Sequence, residues 1–508
     1  MSTPDTDKIW KTFIGLLAKH GSRTAVTSPS GNISFKELRD LSEELADHLG
    51  RSGIGPGDVI GHMFESRASF VIAFLALCRL TASIALVSTV YQKRELEAIT
   101  DKIKPRAFLC DQQNAETIGH NMNIADRIMI GNPDSGYNMV LLIPQYESGV
   151  GPKNASTLSR EHDFEFPVAL IKFTSGSTGE PKAVALSAKN IMADAANIVE
   201  TLDITGDDVI LTALPLSHSY GFDLGVLPLI FSGSRLIIHE HFIPRLALRT
   251  IVNEAVTIFP GVPSMYRFFD GLSFEQPPDL SHIRYFLSCT APLSKDMIFS
   301  FQKKFGIPIC QHYGSSETGA TINQIVSKVM IHPESIGVAM KNIMISILDE
   351  NGLPDPIGQT GEVVVSGDNV AMGYLMGRPP NRNPLKEGKY FTGDLAYIDD
   401  GGFIYLEGRI DTIINVGGNK VSPQEVTEVL EKHPAVKEAV AMGIRDHNNE
   451  EIVVAVVSLS RETGENNIID FCHGKLAPYK IPRRIEFRDE LPRSASGKIK
   501  IRPEDYGF

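Results

Sequence analysis

The residues best suited to chemistry form a short loop, FTSGSTGEPKAV, at positions 173–184. Seven of its twelve residues are Gly, Ser, Thr or Pro, and Lys182 stands near its end. Backbone N–H groups and hydroxyls of such a loop can turn onto phosphate oxygens, and the lysine adds a mobile positive charge. The composition therefore predicts a phosphate-binding loop, with a plain surface loop as the alternative.

This loop departs from the pattern of P-loop NTPases, G-x-x-x-x-G-K-[ST]. Counted from Gly176, the spacing to Lys182 fits, but Pro181 occupies the place of the second glycine and Ala183 that of the magnesium-binding hydroxyl. A strand-like apolar run also follows the loop, whereas a helix follows a P-loop. A kinase or P-loop ATPase is therefore disfavoured, and its product, ADP, would reveal it.

The elements that must position this loop alternate along the chain. Strand-like apolar runs are predicted at 168–173 and 235–239, and helical apolar spacing is found at 33–48 and 188–202. Such alternation predicts an α/β fold built in layers, because each apolar face must pack against another element.

A domain boundary is predicted just after the stretch AYIDDGGFIYLEG, which has two strand-like arms around an Asp-Asp-Gly-Gly turn. Beyond it, VSPQEVTEVLEKH begins a helix with Ser422 as N-cap, Pro423 at N1 and Glu425 at N3, which is the pattern of a capping box. We therefore expect two domains, at residues 1–409 and 410–508.

Composition limits the function classes. The chain has 508 residues, of which 42% are hydrophobic and 22% charged, and this size favours more than one domain. Its formal net charge of −12 argues against a nucleic-acid partner. Five cysteines without a CxxC pair indicate neither a disulfide framework nor a zinc site. No secretory signal is expected, and the apolar run 70–78 is too short to span a bilayer, so we expect a cytoplasmic protein.

The loop and five further segments resemble the motifs of the adenylate-forming superfamily, which includes acyl- and aryl-CoA synthetases, peptide-synthetase adenylation domains and luciferases. The five segments are LPLSHSYG (214–221), QHYGSSETG (311–319), YFTGD (390–394), GRID (408–411) and LPRSASGKIK (491–500). They stand in family order, and the resemblance covers nearly the whole chain. It implies a large N-terminal domain of layered α/β subdomains and a small, mobile C-terminal α/β domain with its hinge near Asp411.

The reaction that this resemblance implies is the joining of an acid to a thiol. A carboxylate attacks the α-phosphate of ATP and gives an acyl-adenylate and pyrophosphate; the acyl group then passes to CoA as a thioester. ATP, Mg²⁺ and CoA are the implied cofactors, a carboxylic acid is the implied substrate, and a homodimer is allowed. The alternatives are a free-standing ligase that loads the phosphopantetheine of an acyl carrier protein and a non-catalytic nucleotide-binding relative. Intact site residues disfavour the latter, and no carrier domain is expected after Lys498.

Three residues are implied to be catalytic. Lys498 would bridge the carboxylate and the α-phosphate, His218 would border the acid and the thiol tunnel, and Glu317 would bind magnesium. A solvated lysine and a satisfied core histidine are the respective alternatives for Lys498 and His218. Tyr313 would stack on adenine, and Asp394 would accept the ribose hydroxyls. The implied ATP-binding residues are Thr174, Ser175, Gly176, Ser177, Thr178, Gly179, Lys182, Ala291, Tyr313, Gly314, Ser316, Asp394 and Arg409.

Two further groups follow from the resemblance. The implied acid pocket consists of His218, Ser219, Tyr220, Cys289 and Thr290, and the implied pantetheine contacts are Gly417, Gly418 and Lys420. Cys289 and Thr290 replace a usual Gly-Gly or Gly-Ala pair, so we expect a narrowed pocket that takes small aryl or short acyl acids. Asp223 lies out of register for binding a substrate amine, which disfavours an amino acid.

Overall fold

The computed structural model describes residues 3–132, 137–147, 151–174, 181–291, 293–349, 351–354, 356–377, 383–410, 412, 414–416, 419–446, 451–493, 499–500 and 503–507. The chain folds into two compact units, each with helices and strands. The first comprises Met1–Pro333, Gly337–Met344 and Val365–Tyr390, and the second Glu334–Ile336, Ile345–Val364 and Phe391–Phe508. The prediction of an α/β fold is confirmed.

Several helices begin at a serine whose side chain accepts a backbone N–H, as Ser34, Ser187 and Ser294 do. The α-helices are α1 (Asp7–His20), α2 (Phe35–Arg51), α3 (Ala68–Arg79), α4 (Lys93–Ile103), α5 (Gln112–Asn121), α6 (Ala155–Glu161), α7 (Ala188–Thr201), α8 (Ser219–Gly221), α9 (Leu227–Ser232), α10 (Pro244–Asn253), α11 (Pro263–Asp270), α12 (Lys295–Phe305), α13 (Pro423–Glu431) and α14 (Glu465–Cys472). A π-helix, Phe222–Val226, joins α8 to α9.

The strands are short and largely apolar. They are β1 (Thr24–Ser28), β2 (Gly31–Ser34), β3 (Val59–Met63), β4 (Ser83–Leu86), β5 (Ala107–Asp111), β6 (Ile124–Asn132), β7 (Tyr137–Pro144), β8 (Leu170–Thr174), β9 (Lys182–Leu186), β10 (Val209–Thr212), β11 (Arg235–Ile238), β12 (Ile258–Gly261), β13 (Tyr285–Ser288), β14 (Ile309–Ser315), β15 (Gly319–Asn323), β16 (Val338–Ala339), β17 (Met344–Leu348), β18 (Gly361–Ser366), β19 (Gly373–Met376), β20 (Leu385–Lys386), β21 (Lys389–Ile398), β22 (Ile404–Arg409), β23 (Ile414–Val416), β24 (Asn419–Val421), β25 (Val436–Arg445), β26 (Glu451–Leu459) and β27 (Arg484–Phe487).

A nine-stranded sheet of the first unit has the order β16-β15-β14-β13-β12-β10-β11-β1-β2. Its strands β11, β10, β12, β13 and β14 run parallel, so their carboxyl ends share one edge. LPLSHSYG follows β10, Cys289 and Thr290 follow β13, and YGSSETG continues from β14. Open α/β sheets bind ligands outside the carboxyl ends of their strands, and this topology brings the three segments to that edge.

The second sheet of the first unit has eight strands in the order β19-β9-β8-β4-β3-β5-β7-β6. Its antiparallel hairpin β8–β9 flanks the predicted phosphate loop, and β19 pairs antiparallel with the free side of β9. Helix α3 buries every residue from Phe70 to Cys78. Within the described ranges, none of the helices combines the length and the apolar character needed to cross a bilayer.

In the second unit, β25 and β26 pair antiparallel and β27 adds a parallel strand. Helices α13 and α14 pack on this sheet, with Val426, Leu430, Ile468 and Cys472 in the shared core. The predicted hairpin around the Asp-Asp-Gly-Gly turn is present as β21 and β22, which pair antiparallel.

The predicted capping box of α13 is wrong. Helix α13 begins at Pro423 with Ser422 as N-cap, but the Ser422 side chain makes no cap hydrogen bond. Lys480, which lies 55 residues further along the chain, donates to both carboxylate oxygens of Glu425, at 2.7 and 2.6 Å. A charge-assisted pair is stronger than a bond from a neutral amide, so Glu425 turns to Lys480 instead of to the helix start.

Candidate active site

The predicted phosphate loop lies between the paired ends of β8 and β9. In the β8–β9 register, Thr174 pairs with Lys182 and Phe173 with Ala183, so the loop leaves the ladder at Thr174 and returns at Lys182. Because a strand follows the loop, the P-loop alternative fails as expected. Ala183 is fully buried in the core beside β8 and β19.

His218 is the N-cap of the short helix α8, and its Nδ1 accepts a hydrogen bond from the Tyr220 backbone N–H at 3.4 Å. Gly221 ends α8, and a Cβ there would lie 2.4 Å from the carbonyl oxygen of Pro215. Only glycine permits this close approach, so the segment 214–221 folds back on itself and fixes the direction in which His218 leaves the backbone.

The structure joins this segment to the YGSSETG segment. The hydroxyls of Ser219 and Ser316 share a hydrogen bond of 2.6 Å, and both residues are buried. Tyr220 stacks on His312 with ring centroids 5.7 Å apart, and its hydroxyl donates to the carbonyl of Leu287 at 3.0 Å. Burial lowers the pKa of His312 to about 4, so its imidazole is neutral at pH 7. The structure thus brings Ser219, which was predicted for the acid pocket, into contact with Ser316, which was predicted for ATP binding.

Glu317 lies in the turn between β14 and β15 with only 6% of its surface exposed. Its Oε1 accepts a hydrogen bond of 2.7 Å from the Tyr374 hydroxyl, and its backbone carbonyl accepts one of 2.8 Å from the Ala371 N–H. Burial, and then the charge of Glu317, raise the pKa of Tyr374 well above its usual value, so the phenol is the donor.

The surroundings of Glu317 fit magnesium. Mg²⁺ is commonly held by one or two carboxylates together with substrate phosphates, rather than by a cage of protein ligands. No group of three or more His, Cys, Asp or Glu side chains with metal-site geometry occurs in the described part of the chain. A single buried carboxylate with one oxygen bonded to a phenol therefore matches a metal that arrives with a nucleotide.

The same turn shows why glycine occupies Gly314. A Cβ at Gly314 would lie 2.2 Å from the carbonyl oxygen of Gly319, because β14 and β15 shift register beside Tyr313. Tyr313 is half-buried, and its carbonyl accepts a hydrogen bond of 3.2 Å from Thr321.

Thr290 has a φ of +77°, in the left-handed region that favours glycine. The β-branched Thr290 is therefore strained in this conformation, and strain of this kind persists at functional sites. Its neighbour Cys289 is buried, and the Cys289 backbone N–H donates a hydrogen bond of 3.3 Å to the Gly261 carbonyl. Ala291, on the other side of Thr290, is exposed.

In the second unit, Asp394 and Arg409 face each other across the β21–β22 ladder. Nη1 of Arg409 donates to Oδ1 of Asp394 at 2.8 Å, and the Asp394 side chain is 14% exposed. The backbone N–H of Asp394 donates to the Thr392 hydroxyl at 3.0 Å. The predicted ribose carboxylate is therefore oriented by its predicted arginine.

Several predicted site residues lie outside the described residues, and the structure places none of them. They are Ser175, Gly176, Ser177, Thr178, Gly179, Asp411, Gly417, Gly418 and Lys498. The backbone of Lys420 lies in β24.

A buried ionic cluster that was not predicted from the sequence includes a lysine of β8, one strand of the hairpin that flanks the predicted phosphate loop. Nζ of Lys172, on β8, lies 2.6 Å from Oδ1 of Asp223 in the π-helix, and both side chains are at most 5% exposed. Asp194 of α7 joins the pair through a hydrogen bond with Asp223 and accepts one from the Ala320 N–H at 3.1 Å. A lysine in the apolar run VALIKF was the available signal. The pairing also explains why Asp223 is unsuited to a substrate amine.

The charges of this cluster require a proton. Two carboxyl groups share one ammonium, and all three groups are buried. Burial, and next the charge of Asp223, raise the pKa of Asp194 well above its usual range. Burial also raises the pKa of Asp223, while the Lys172 ammonium opposes that rise. Of the two carboxyl groups, Asp194 therefore has the environment that more strongly favours the protonated form.

Known proteins are similar to this chain over nearly its whole length. The chain is 30% identical over 510 residues to the oxalate–CoA ligase of Arabidopsis thaliana, with 98% of each chain covered. ATP-bound MatB of Rhodopseudomonas palustris has a TM-score of 0.83 at 25% identity, covering 98% of this chain and 97% of that one. The o-succinylbenzoate CoA synthetase of Bacillus subtilis, solved with the acyl-adenylate OSB-AMP and with ATP and magnesium, has a TM-score of 0.81 in both complexes at 25% identity. These structures cover 98% of this chain and 97% and 98% of theirs.

Two family models also match in chain order. One describes an AMP-binding enzyme and matches residues 16–375, and the other describes the C-terminal domain of AMP-binding enzymes and matches residues 425–498. The predicted arrangement of a large N-terminal domain followed by a small C-terminal domain is thereby confirmed. So is the resemblance to adenylate-forming enzymes: the chain belongs to the AMP-binding enzyme family.

Proposed function

We propose that this AMP-forming CoA ligase activates a small carboxylic acid with the residues assembled at the carboxyl edge of the nine-stranded sheet. The observation that carries the proposal is the hydrogen bond of 2.6 Å between Ser219 and Ser316, which joins the acid segment to the nucleotide segment. A reaction between two anions depends on holding them in place and neutralising their charge, and these buried, connected side chains are suited to both tasks.

In the first step, a carboxylate oxygen of the acid bonds to the α-phosphorus of ATP, and the bond from that phosphorus to pyrophosphate breaks. Thr174, the loop residues 175–179 and Lys182 bind the β- and γ-phosphates, and Ser316 donates to the α-phosphate. Glu317 holds Mg²⁺, which neutralises charge on the phosphate oxygens. Lys498 draws the two reacting anions together.

The base and sugar of the nucleotide have separate contacts. Tyr313 stacks on adenine, beside Gly314 and Ala291, because an aromatic face with a polar tip suits a purine. In the second unit, Asp394 accepts both ribose hydroxyls while Arg409 holds its carboxylate in place. The ion pair of 2.8 Å between Asp394 and Arg409 supports that assignment.

The acid lies against His218, Ser219, Tyr220, Cys289 and Thr290. Two observations favour a small acid. Side chains at positions 289 and 290 occupy space that a Gly-Gly or Gly-Ala pair would leave open, and Tyr220 stacks on His312. Two relatives are named as ligases of oxalate and of o-succinylbenzoate, neither of which is a long-chain fatty acid.

In the second step, the CoA sulfur bonds to the acyl carbon and AMP leaves, which gives the thioester. We assign Gly417, Gly418 and Lys420 to the pantetheine arm and Asp411 to the hinge of a C-terminal domain at residues 410–508. A carrier-protein phosphopantetheine is the alternative acceptor. A cytoplasmic location, supported by five buried free cysteines, and a homodimer complete the proposal.

Product analysis tests this function. The protein is incubated with ATP, Mg²⁺ and a panel of carboxylic acids, with and without CoA, and the products are identified by mass spectrometry. AMP and an acyl-CoA from a benzoate- or butyrate-sized acid are expected. An acyl-adenylate without acyl-CoA would indicate a carrier protein as acceptor. ADP, or better activation of dodecanoate, would contradict the proposal.

The role of Lys498 is tested with a neighbouring lysine as control. Lys498→Ala is expected to slow adenylate formation about 10²- to 10³-fold, the usual loss for one preorganised donor. Thioester formation from a supplied acyl-adenylate is expected to stay within about threefold of wild type. Lys500→Ala, which removes a lysine bound to Asp505 at 3.2 Å, should leave both steps unchanged. Equal losses in both steps for Lys498→Ala would refute its assignment to the first.

A further inference from the structure

Tyr374 lies on β19, the strand that pairs with the β9 arm of the phosphate hairpin. Its register partner is Val184, two residues after Lys182, and only 8% of Tyr374 is exposed. Its hydroxyl reaches across to Oε1 of Glu317 at 2.7 Å. One side chain therefore connects the strand beside the loop lysine with the carboxylate assigned to magnesium.

The segment leading into β19 also holds the backbone around Glu317. The Ala371 N–H donates to the Glu317 carbonyl at 2.8 Å, and the Asn369 side chain donates to the Thr318 carbonyl at 2.6 Å. With the backbone fixed by these bonds, the remaining freedom of Glu317 is the rotation of its own side chain. The hydrogen bond from the Tyr374 hydroxyl restricts that rotation.

We propose that Tyr374 is a positioning residue for metal–nucleotide binding. Its hydroxyl donates a hydrogen bond to one carboxylate oxygen of Glu317, so that the other oxygen can bind the cation. This inference rests on the assignment of Glu317 to magnesium made above. A carboxylate already held by a phenol does not have to be ordered when Mg-ATP arrives, and such preorganisation raises affinity by reducing the entropy lost on binding. Tyr374 itself touches neither the nucleotide nor the acid in this account.

A merely structural hydroxyl would behave differently. Tyr374 also shares a hydrogen bond with Tyr390, so its loss would leave a buried polar group to be rearranged and lower stability. Such a loss affects ATP binding equally with and without magnesium. A positioning role affects Mg-ATP alone, and this difference separates the two readings.

The test is calorimetric binding of ATP, in Mg²⁺ and in EDTA, to wild type, Tyr374→Phe and Glu317→Gln. Phenylalanine keeps the ring and removes the hydroxyl. We expect the Kd of Mg-ATP to rise about tenfold in Tyr374→Phe, as for part of a hydrogen bond to a charged group. The Kd in EDTA should stay within about twofold. In Glu317→Gln, the further change Tyr374→Phe should add nothing, because the hydroxyl acts through that carboxylate.

Tyr146→Phe is the matched control, since the Tyr146 hydroxyl donates to the Pro105 carbonyl at 2.5 Å within the first unit. It should bind ATP like wild type in both conditions. If Tyr374→Phe does not fold, Tyr374→Leu serves as a second variant without the hydroxyl. Equal weakening with and without magnesium, or none, would overturn the inference. An unchanged magnesium dependence in Glu317→Gln would instead remove the assignment of Glu317 itself.

Discussion

The buried cluster of Lys172, Asp223 and Asp194 predicts an unusual response to the substitution Asp194→Asn. Asparagine has the shape of a protonated aspartate: its amide can donate to Asp223 while its carbonyl oxygen accepts from the Ala320 N–H. If Asp194 holds a proton in the native protein, the substitution keeps every hydrogen bond and removes the need to bind that proton. We expect the Asn variant to fold and to be more stable than wild type at pH 7.

The size of the stability difference follows from the number of protons that the native and unfolded states bind. The folded pKa of Asp194 is raised, so its contribution to stability is complete below the unfolded pKa and is lost as the pH rises towards the folded pKa. Across that window the native state holds one proton more than the unfolded state. Stability of the wild type therefore falls by about 1.4 kcal/mol for each pH unit, and Asp194→Asn lacks this slope.

A substitution that removes the positive charge of the cluster is expected to have the opposite effect on stability. Lys172→Met leaves Asp223 buried without its counter-ion, and breaking a buried pair by removing one partner typically costs about 3–5 kcal/mol. Two substitutions in the same cluster should thus shift stability in opposite directions.

Fluorescence offers a specific assay, because Trp10 in α1 is the single tryptophan and belongs to the first unit. Urea unfolding followed at Trp10 at pH 5, 6 and 7 gives the free energy of unfolding of that unit for each variant. Asp47→Asn is the control, since Asp47 is more than half exposed beside Arg79 and lies outside the cluster. A stability gain of Asp194→Asn that fails to grow with pH, or a loss comparable to that of Lys172→Met, would show that Asp194 is ionised in the native state.

Two further predictions concern backbone geometry. Thr290→Gly relieves a positive φ, so we expect a gain of up to about 1 kcal/mol in urea unfolding, together with adenylation of bulkier acids. A loss of stability would contradict the strain argument. Ser422→Ala removes no cap hydrogen bond and should leave hydrogen exchange in α13 unchanged, whereas Ser34→Ala removes the cap of α2 and should lower protection there by about 1 kcal/mol.

Strands and turns of this fold were predictable because they depend on patterns of neighbouring residues in the sequence. The strands flanking the phosphate loop are apolar runs, and the turn between β21 and β22 has residues that favour turns. The segments that follow parallel strands share an edge of the sheet, and the structure places the segments of His218 and Glu317 there, although neither β10 nor β14 was predicted from the sequence.

The connections between side chains were not predictable, since their partners lie far apart in sequence. Lys172 and Asp223 are 51 residues apart, Glu317 and Tyr374 are 57 apart, and Asp194 meets Ala320 across 126. The same cause defeated the capping box: the local pattern around Glu425 was correct, but a distant lysine competed for the carboxylate. Local chemistry predicts what a residue can do, and packing decides which partner it finds.

The pairing of β19 with β9 has a consequence for how the chain is made. About 190 residues separate the two strands, so at a synthesis rate of about 5–20 residues per second β9 waits roughly 10–40 s for its neighbour. During that time β9 is an open, apolar sheet edge, which is a known template for association between chains. The hairpin of β8 and β9 is therefore one of the segments of the nascent chain that we expect a chaperone to protect, and fragments that stop before Gly373 should aggregate through it.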